Sequence, residues 1–320
     1  MSQRHRILTL LGVVAAIGVL LLAARPLLIE RQRPGHLRAA FDAEFHTRPD
    51  GYPGLAEHYD LQFPDTPRQM DSGLMYRAVA DGAVDVINGF ATDGRIPAYD
   101  LVVLEDDQGF FPSYDAAPIV RRDTLEEFPQ IEDVLNQLAG RISTTRMQEL
   151  NFEVDERGRR ASDVAREFLV GEGLIGPDDT LDREPVGRVA VGGKDFTEQE
   201  IVGEMMAILL EIQAGLRVDR RLNLGGTMIC FEALRAGDVD LYAEYTGTAL
   251  VNILNREVIA DPDESYRVVA RVFREEYDLV WFAPFGFNNT YTLTMRRTQA
   301  HRLEIHSISD LAAYLSRPGE

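Results

Sequence analysis

The chain has 320 residues and a formal net charge of −19, with 45% hydrophobic and 27% charged residues. That length can hold two compact lobes without disulfide support. The acidity excludes nucleic acid as a partner, because nothing offsets phosphate repulsion.

Arg4, His5 and Arg6 precede an uncharged apolar run from Ile7 to Ala24, with Arg25 and Pro26 after it. Such a run is a secretory signal or a membrane anchor. Cleavage after Ala24 would put Leu22 where a small residue is needed, so an uncleaved anchor is favoured. No cysteine follows the run, which excludes lipid attachment. Residues 1–35 are assigned to anchor and tether, and the remainder to the extracytoplasmic side, in the periplasm or on the outer face of the cytoplasmic membrane.

Further along, Tyr76-Arg-Ala-Val-Ala-Asp-Gly82-Ala-Val-Asp85-Val-Ile-Asn-Gly-Phe90 aligns without a gap on Phe231-Glu-Ala-Leu-Arg-Ala-Gly237-Asp-Val-Asp240-Leu-Tyr-Ala-Glu-Tyr245. In each, an aromatic starts a short helix, a glycine suits a left-handed C-cap, and a Val-Asp-apolar strand ends on an aromatic. Helix–Gly–strand is a common unit. The sharper reading is two similar α/β lobes that each put an aromatic at the carboxyl end of a strand, where open α/β sheets bind ligands. Between the two copies, residues 175–187 are rich in Pro, Gly and charge and read as a surface linker.

After the linker, Arg188-Val-Ala-Val191 predicts a strand running into Gly192-Gly193-Lys194-Asp195-Phe196. Thr197 and Glu200 have capping-box spacing for the following helix. Ile201, Met205, Ile208, Leu209 and Ile212 share its apolar face, and Gly215 closes it. Lys194, just ahead of the helix amino terminus, suits an anionic group on a ligand or else is a solvated loop lysine. Cys230, the single cysteine, sits in the apolar stretch 228–231 and reads as a core residue rather than a nucleophile. The sequence contains no HExxH pair, GxSxG elbow or GxxxxGK loop, so no enzyme activity and no cofactor are expected.

The second block carries Gly193-Lys-Asp-Phe-Thr-Glu-Gln199, Leu222-Asn-Leu-Gly-Gly-Thr-Met-Ile-Cys-Phe-Glu-Ala-Leu234, Glu244-Tyr-Thr-Gly-Thr248 and Gly286-Phe-Asn-Asn-Thr-Tyr291. These resemble the front half of the glycine betaine/choline (osmoprotectant) substrate-binding proteins of ATP-binding cassette (ABC) importers. The first block carries Glu44-Phe-His-Thr-Arg-Pro-Asp-Gly-Tyr-Pro-Gly-Leu55, Thr92-Asp-Gly-Arg95, Leu104-Glu-Asp-Asp107 and Pro112-Ser-Tyr-Asp-Ala-Ala-Pro118, which resemble the back half. The order is reversed, so the resemblance implies a circularly permuted, two-lobed α/β fold of the type II periplasmic-binding-protein kind. One lobe is then 36–112 with 292–320 and the other 113–174 with 188–291. The competing reading, two half-proteins left from a tandem duplication, would require a partner chain for each half. The halves complement each other once without overlap, which favours permutation.

A trimethylammonium group has charge but no N–H donor, so aromatic faces must hold it. The resemblance implies a cage of Tyr245, Tyr291, Tyr114 and Phe90, the last in place of the usual tyrosine. It assigns Arg48 to a ligand carboxylate, with Lys194 and Thr248 as accessory donors, and Asn289 where some relatives are acidic. Rings in an open cleft are expected to matter little for folding. The implied partners are a small quaternary-ammonium ligand (glycine betaine, choline or carnitine type) and ABC permease subunits, with the chain itself a monomer. The alternative is a tethered osmolyte sensor without a transport role.

Overall fold

Short strands, most of them apolar, are interspersed with helices in the computed structural model, which describes residues 35–259 and 261–317. The strands are β1 (Ala39–Phe41), β2 (Arg68–Gln69), β3 (Val86–Phe90), β4 (Leu101–Val103), β5 (Ala116–Arg121), β6 (Gly187–Gly192), β7 (Leu216–Arg221), β8 (Leu241–Tyr245), β9 (Leu279–Trp281) and β10 (Tyr291–Arg296). They form two five-stranded sheets, ordered β2-β1-β3-β10-β4 and β7-β6-β8-β5-β9. Helices cover both, giving a two-lobed α/β molecule.

The two sheets share one design. In each, three strands run parallel and a fourth is separated from them by an antiparallel strand. That antiparallel strand comes from the other half of the sequence: β5 enters the sheet of β6–β9, and β10 enters the sheet of β1–β4. The crossing segments, 104–115 and 282–290, meet at an antiparallel bridge between Asp115 and Asn288. A pair of crossing segments is the arrangement about which two lobes can hinge.

The aligned stretches adopt the same conformation. Helices Ser72–Ala80 and Thr227–Ala236 precede β3 and β8, and Gly82 and Gly237 both sit at φ +76°. A left-handed residue is needed there to end each helix, and only glycine takes it without a steric cost. The aspartate ahead of each strand has a matching task. Asp85 Oδ2 accepts from the Arg38 backbone N–H at 3.0 Å, and Asp240 Oδ2 from that of Ala190 at 2.7 Å. Arg121 and Arg296, at the ends of the crossing strands, donate to the carbonyls of Leu234 and Val79, which are also equivalent positions. The aromatics Tyr76 and Phe231 lie inside their helices rather than starting them, because each helix begins four residues earlier.

The predicted helix after Lys194 spans Thr197–Leu209, with its N-cap at Phe196. Thr197 is therefore not the cap, and its hydroxyl instead donates to Asp155 of helix Thr144–Asp155. Glu200 likewise accepts from Asn223. Tertiary partners have taken both ends of the expected capping box. A left-handed Gly215 does close the segment, after a π-turn at Leu210–Ala214. Cys230 is fully buried, and burial pushes its thiol up to about 12, which suits a core residue.

Among the described residues no helix is long and apolar enough to cross a membrane. The anchor expected at 7–24 lies outside the described residues. Gly35, the first of them, lies against the far end of the chain. A Cβ there would come within 2.4 Å of the Arg317 carbonyl oxygen and 3.3 Å of that of Leu315. In the 175–187 stretch, Val186 donates to the Gly215 carbonyl and Arg183 to that of Gln213, so this segment runs along the lobe containing β7.

Candidate ligand-binding site

Strand ends and the crossing segments converge between the two sheets. Phe90 is the last residue of β3 and Tyr291 the first of β10, and they are register partners. Their rings lie 5.4 Å apart. On the other sheet Tyr245 ends β8 opposite Ala116, which opens β5 two residues after Tyr114. Tyr114 meets Tyr291 edge-on, at 5.6 Å and 82°. Phe90 and Tyr245 end parallel strands, while Tyr291 and Tyr114 stand at or just before the amino ends of the antiparallel strands beside them, so all four rings reach the same edge of the sheets.

A cavity of about 580 Å³ lies among them, and its lining includes all eight residues expected from the sequence: Tyr245, Tyr291, Tyr114, Phe90, Arg48, Lys194, Thr248 and Asn289. Phe196 is a fifth ring that sequence reasoning left without a role. It stacks 6.5 Å from Phe90 and 6.3 Å from Tyr245, bridging the two lobes' aromatics. Its position between Lys194 and the helix amino terminus was the available signal. The rings are not loosely held: Tyr245 and Tyr291 are 4% and 6% exposed and belong to the main apolar core. That burial runs against the expectation that they matter little for folding, because rings packed into the core contribute to it even where they also face the cavity.

Both expected cations are already engaged. Arg48 donates from Nε and Nη2 to the two Asp50 oxygens, at 2.8 and 2.6 Å. Its Nη1 meets Glu44 at 3.2 Å and its Nη2 reaches Thr248 Oγ1 at 3.5 Å. With the Asn252 amide turned oxygen-inward, that oxygen accepts from Arg48 as well. Tyr114 donates its hydroxyl to Asp50 Oδ2 at 2.7 Å, tying the cage ring to the same carboxylate. Lys194 donates to Glu244 at 2.6 Å and to Thr227 at 3.0 Å, and sits 5.0 Å from the centre of the Tyr245 ring. Glu244 was not anticipated, since nothing in sequence spacing links residue 194 to residue 244, whereas Asp50 lies two residues from Arg48.

Asn289 donates to Glu198 Oε1 at 2.9 Å, and Tyr245 donates its hydroxyl to the same oxygen at 2.6 Å. Burial pushes the Glu198 carboxyl above its ordinary range, against the lowering effect of hydrogen bonds from Thr92, Tyr245, Asn151 and Asn289.

Two α/β lobes enclosing an aromatic, charge-lined cavity at their strand ends define a cleft-type small-molecule binding protein. The chain belongs to the family described as the substrate-binding domain of ABC-type glycine betaine transport systems, whose model matches residues 29–170 and 187–319. It is 40% identical over 141 residues to the carnitine transport binding protein OpuCC of Listeria monocytogenes, covering 43% of this chain and 45% of that protein. It is 38% identical over 131 residues to a glycine-betaine-binding protein of Pseudomonas aeruginosa, covering 41% and 42%. The chain thus spans under half the length of these curated relatives in each match. A solved structure described as a glycine betaine/carnitine/choline ABC transporter is 38% identical over 44% of this chain and 51% of its own, with a TM-score of 0.36.

Proposed function

We propose that the chain is the extracytoplasmic substrate-binding component of an ABC importer for a quaternary-ammonium osmoprotectant of the glycine betaine, choline or carnitine type. The observation that carries this is the convergence of Phe90, Tyr291, Tyr114 and Tyr245 from both lobes on one cavity, in a member of this family. Four π faces can hold a cation that offers no hydrogen-bond donor, each contributing roughly 0.5–2 kcal/mol when dry. Arg48, Lys194, Thr248 and Asn289 supply polar contacts to the rest of the ligand. Hinge closure about segments 104–115 and 282–290 would sequester it and present the closed form to permease subunits. The apolar segment at 7–24 would keep the domain at the outer face of the membrane.

The same reading takes the chain as a circular permutation with the lobes bounded as the sequence suggests. The family match falls in two stretches whose gap overlaps the 175–187 linker. Gly35 lies against Leu315 and Arg317. Both facts suit a chain whose family ends are joined at the linker and whose present ends were cut elsewhere.

Calorimetric titration with glycine betaine, choline, carnitine and proline tests the function. Heat of binding is expected for the three quaternary ammonium compounds and not for proline, whose ring nitrogen is not fully alkylated. Absence of binding for all three would overturn the proposal.

A further inference from the structure

The charges around the cavity do not balance. Arg48 is matched by Asp50 and also meets Glu44, and Lys194 is matched by Glu244, with both of those side chains buried. Glu198 is 2% exposed and lines the cavity. Its hydrogen-bond partners are all neutral: the Tyr245 hydroxyl at 2.6 Å, Asn289 Nδ2 at 2.9 Å, Asn151 Nδ2 at 3.4 Å and the Thr92 side chain. Each of them donates. The Tyr245 hydroxyl also accepts from Gln199 Nε2 at 3.1 Å, which directs its own proton to Glu198. A shell made only of donors suits an ionised carboxylate, which can accept and cannot donate.

A second observation concerns how a ligand carboxylate would be received. For a carboxylate to grip Arg48 bidentately it would have to displace Glu44 and Thr248, and it would then face Asp50 from close range.

Resting on the quaternary-ammonium reading above, we propose that the cavity is built for a ligand of net positive charge rather than a zwitterion, and that Glu198 is its counter-charge. A cation entering a buried site gives up its hydration and needs an opposite charge to offset the loss. A zwitterion would leave the Glu198 charge uncompensated overall and would bring a second carboxylate into a region already rich in them.

The test is titration of the full-length chain with choline, glycine betaine and 3,3-dimethyl-1-butanol, the uncharged carbon isostere of choline. Choline is expected to bind at least about tenfold tighter than either of the others, the size of one charge-assisted contact. Glu198→Gln keeps an acceptor for Tyr245 and removes the charge. It is expected to weaken choline by about tenfold or more and betaine by less, so that the ratio narrows. Betaine binding as well as or better than choline overturns the inference, as does a variant that weakens both equally or neither. If the variant does not fold, the three wild-type affinities decide alone. Failure of both quaternary ligands to bind would bring down the underlying function as well, whereas equal binding would bring down only the charge preference.

Discussion

Tyr291 combines two tasks that a single alanine substitution would confound. Its ring contacts Phe45, Phe90 and Tyr114, and it also faces the cavity. Tyr291→Ala is expected to cost about 3–5 kcal/mol of folding stability, the range for emptying a buried aromatic site. Tyr291→Leu fills most of that volume and removes the π face, so it should weaken quaternary-ammonium binding by about 1–2 kcal/mol with a much smaller shift in thermal midpoint. Calorimetry of binding and unfolding on both variants separates the tasks; a leucine variant with wild-type affinity would remove Tyr291 from the cage.

Glu198 makes a pH prediction at the same scale. The groups that face it are Tyr245 of β8, Asn289 before β10, Asn151 of helix Thr144–Asp155 and Thr92 after β3, and none is cationic. Burial raises its pKa, and a bound cation would lower it again, so binding competes with a proton. Affinity for a quaternary cation should therefore rise from about pH 5 to pH 7, and the rise should vanish in Glu198→Gln. A flat profile in the wild type would show that Glu198 does not sense the ligand.

Among the elements, the repeated Val-Asp step has the clearest energetic role. Asp85 receives the Arg38 side chain, the Arg38 backbone N–H, Arg296 and Gln299. Burial alone would raise its pKa, but the bonds from Arg38 and Gln299 outweigh it and hold the carboxyl at about 2. A depressed folded-state pKa contributes stability that is present above the ordinary carboxylate value and is lost as pH falls towards 2. Asp85→Asn should lose about 2–3 kcal/mol at neutral pH, because charge-assisted bonds to two arginines become neutral ones. Its urea midpoint should also change less than the wild type's between about pH 4 and pH 2. Equal acid sensitivity in the two proteins would show that other carboxylates govern acid unfolding.

For the whole molecule, the exchange of β5 and β10 decides what the halves can do alone. Each half lacks the strand that separates its third and fourth strands and carries the one the other half needs. Neither half can complete its own sheet, so a half on its own would need a partner chain, and within this chain the two halves supply each other's missing strand. Because both sheets use the same order, which half comes first in the chain is a matter of covalent connection and not of packing. A rearranged chain with residues 188–320 placed before 36–174 should therefore fold to the same circular dichroism and keep its thermal midpoint within about 5 °C. Failure to fold would reject the permutation proposal.

The sequence alone determined the repeated helix–Gly–strand unit, the strand at 188–191 and the family resemblance. Those features are carried by short spans in which local propensity, glycine conformation and strand-end position act together. The capping at Thr197 was not legible, because Asp155 competes for its hydroxyl from 42 positions away. The pairing of Lys194 was hidden for the same reason, its partner Glu244 being 50 positions away, whereas the partners of Arg48 are sequence neighbours whose contact only the fold reveals. Arg48 and Lys194 look like free cations in sequence, yet Asp50, Glu44 and Glu244 neutralise them once the chain is folded. Glu198 looked like one more acidic residue in a helix amino terminus. Only the tertiary structure gives it neutral partners and a place in the cavity wall, since Coulomb interactions follow distance in space and not separation along the chain.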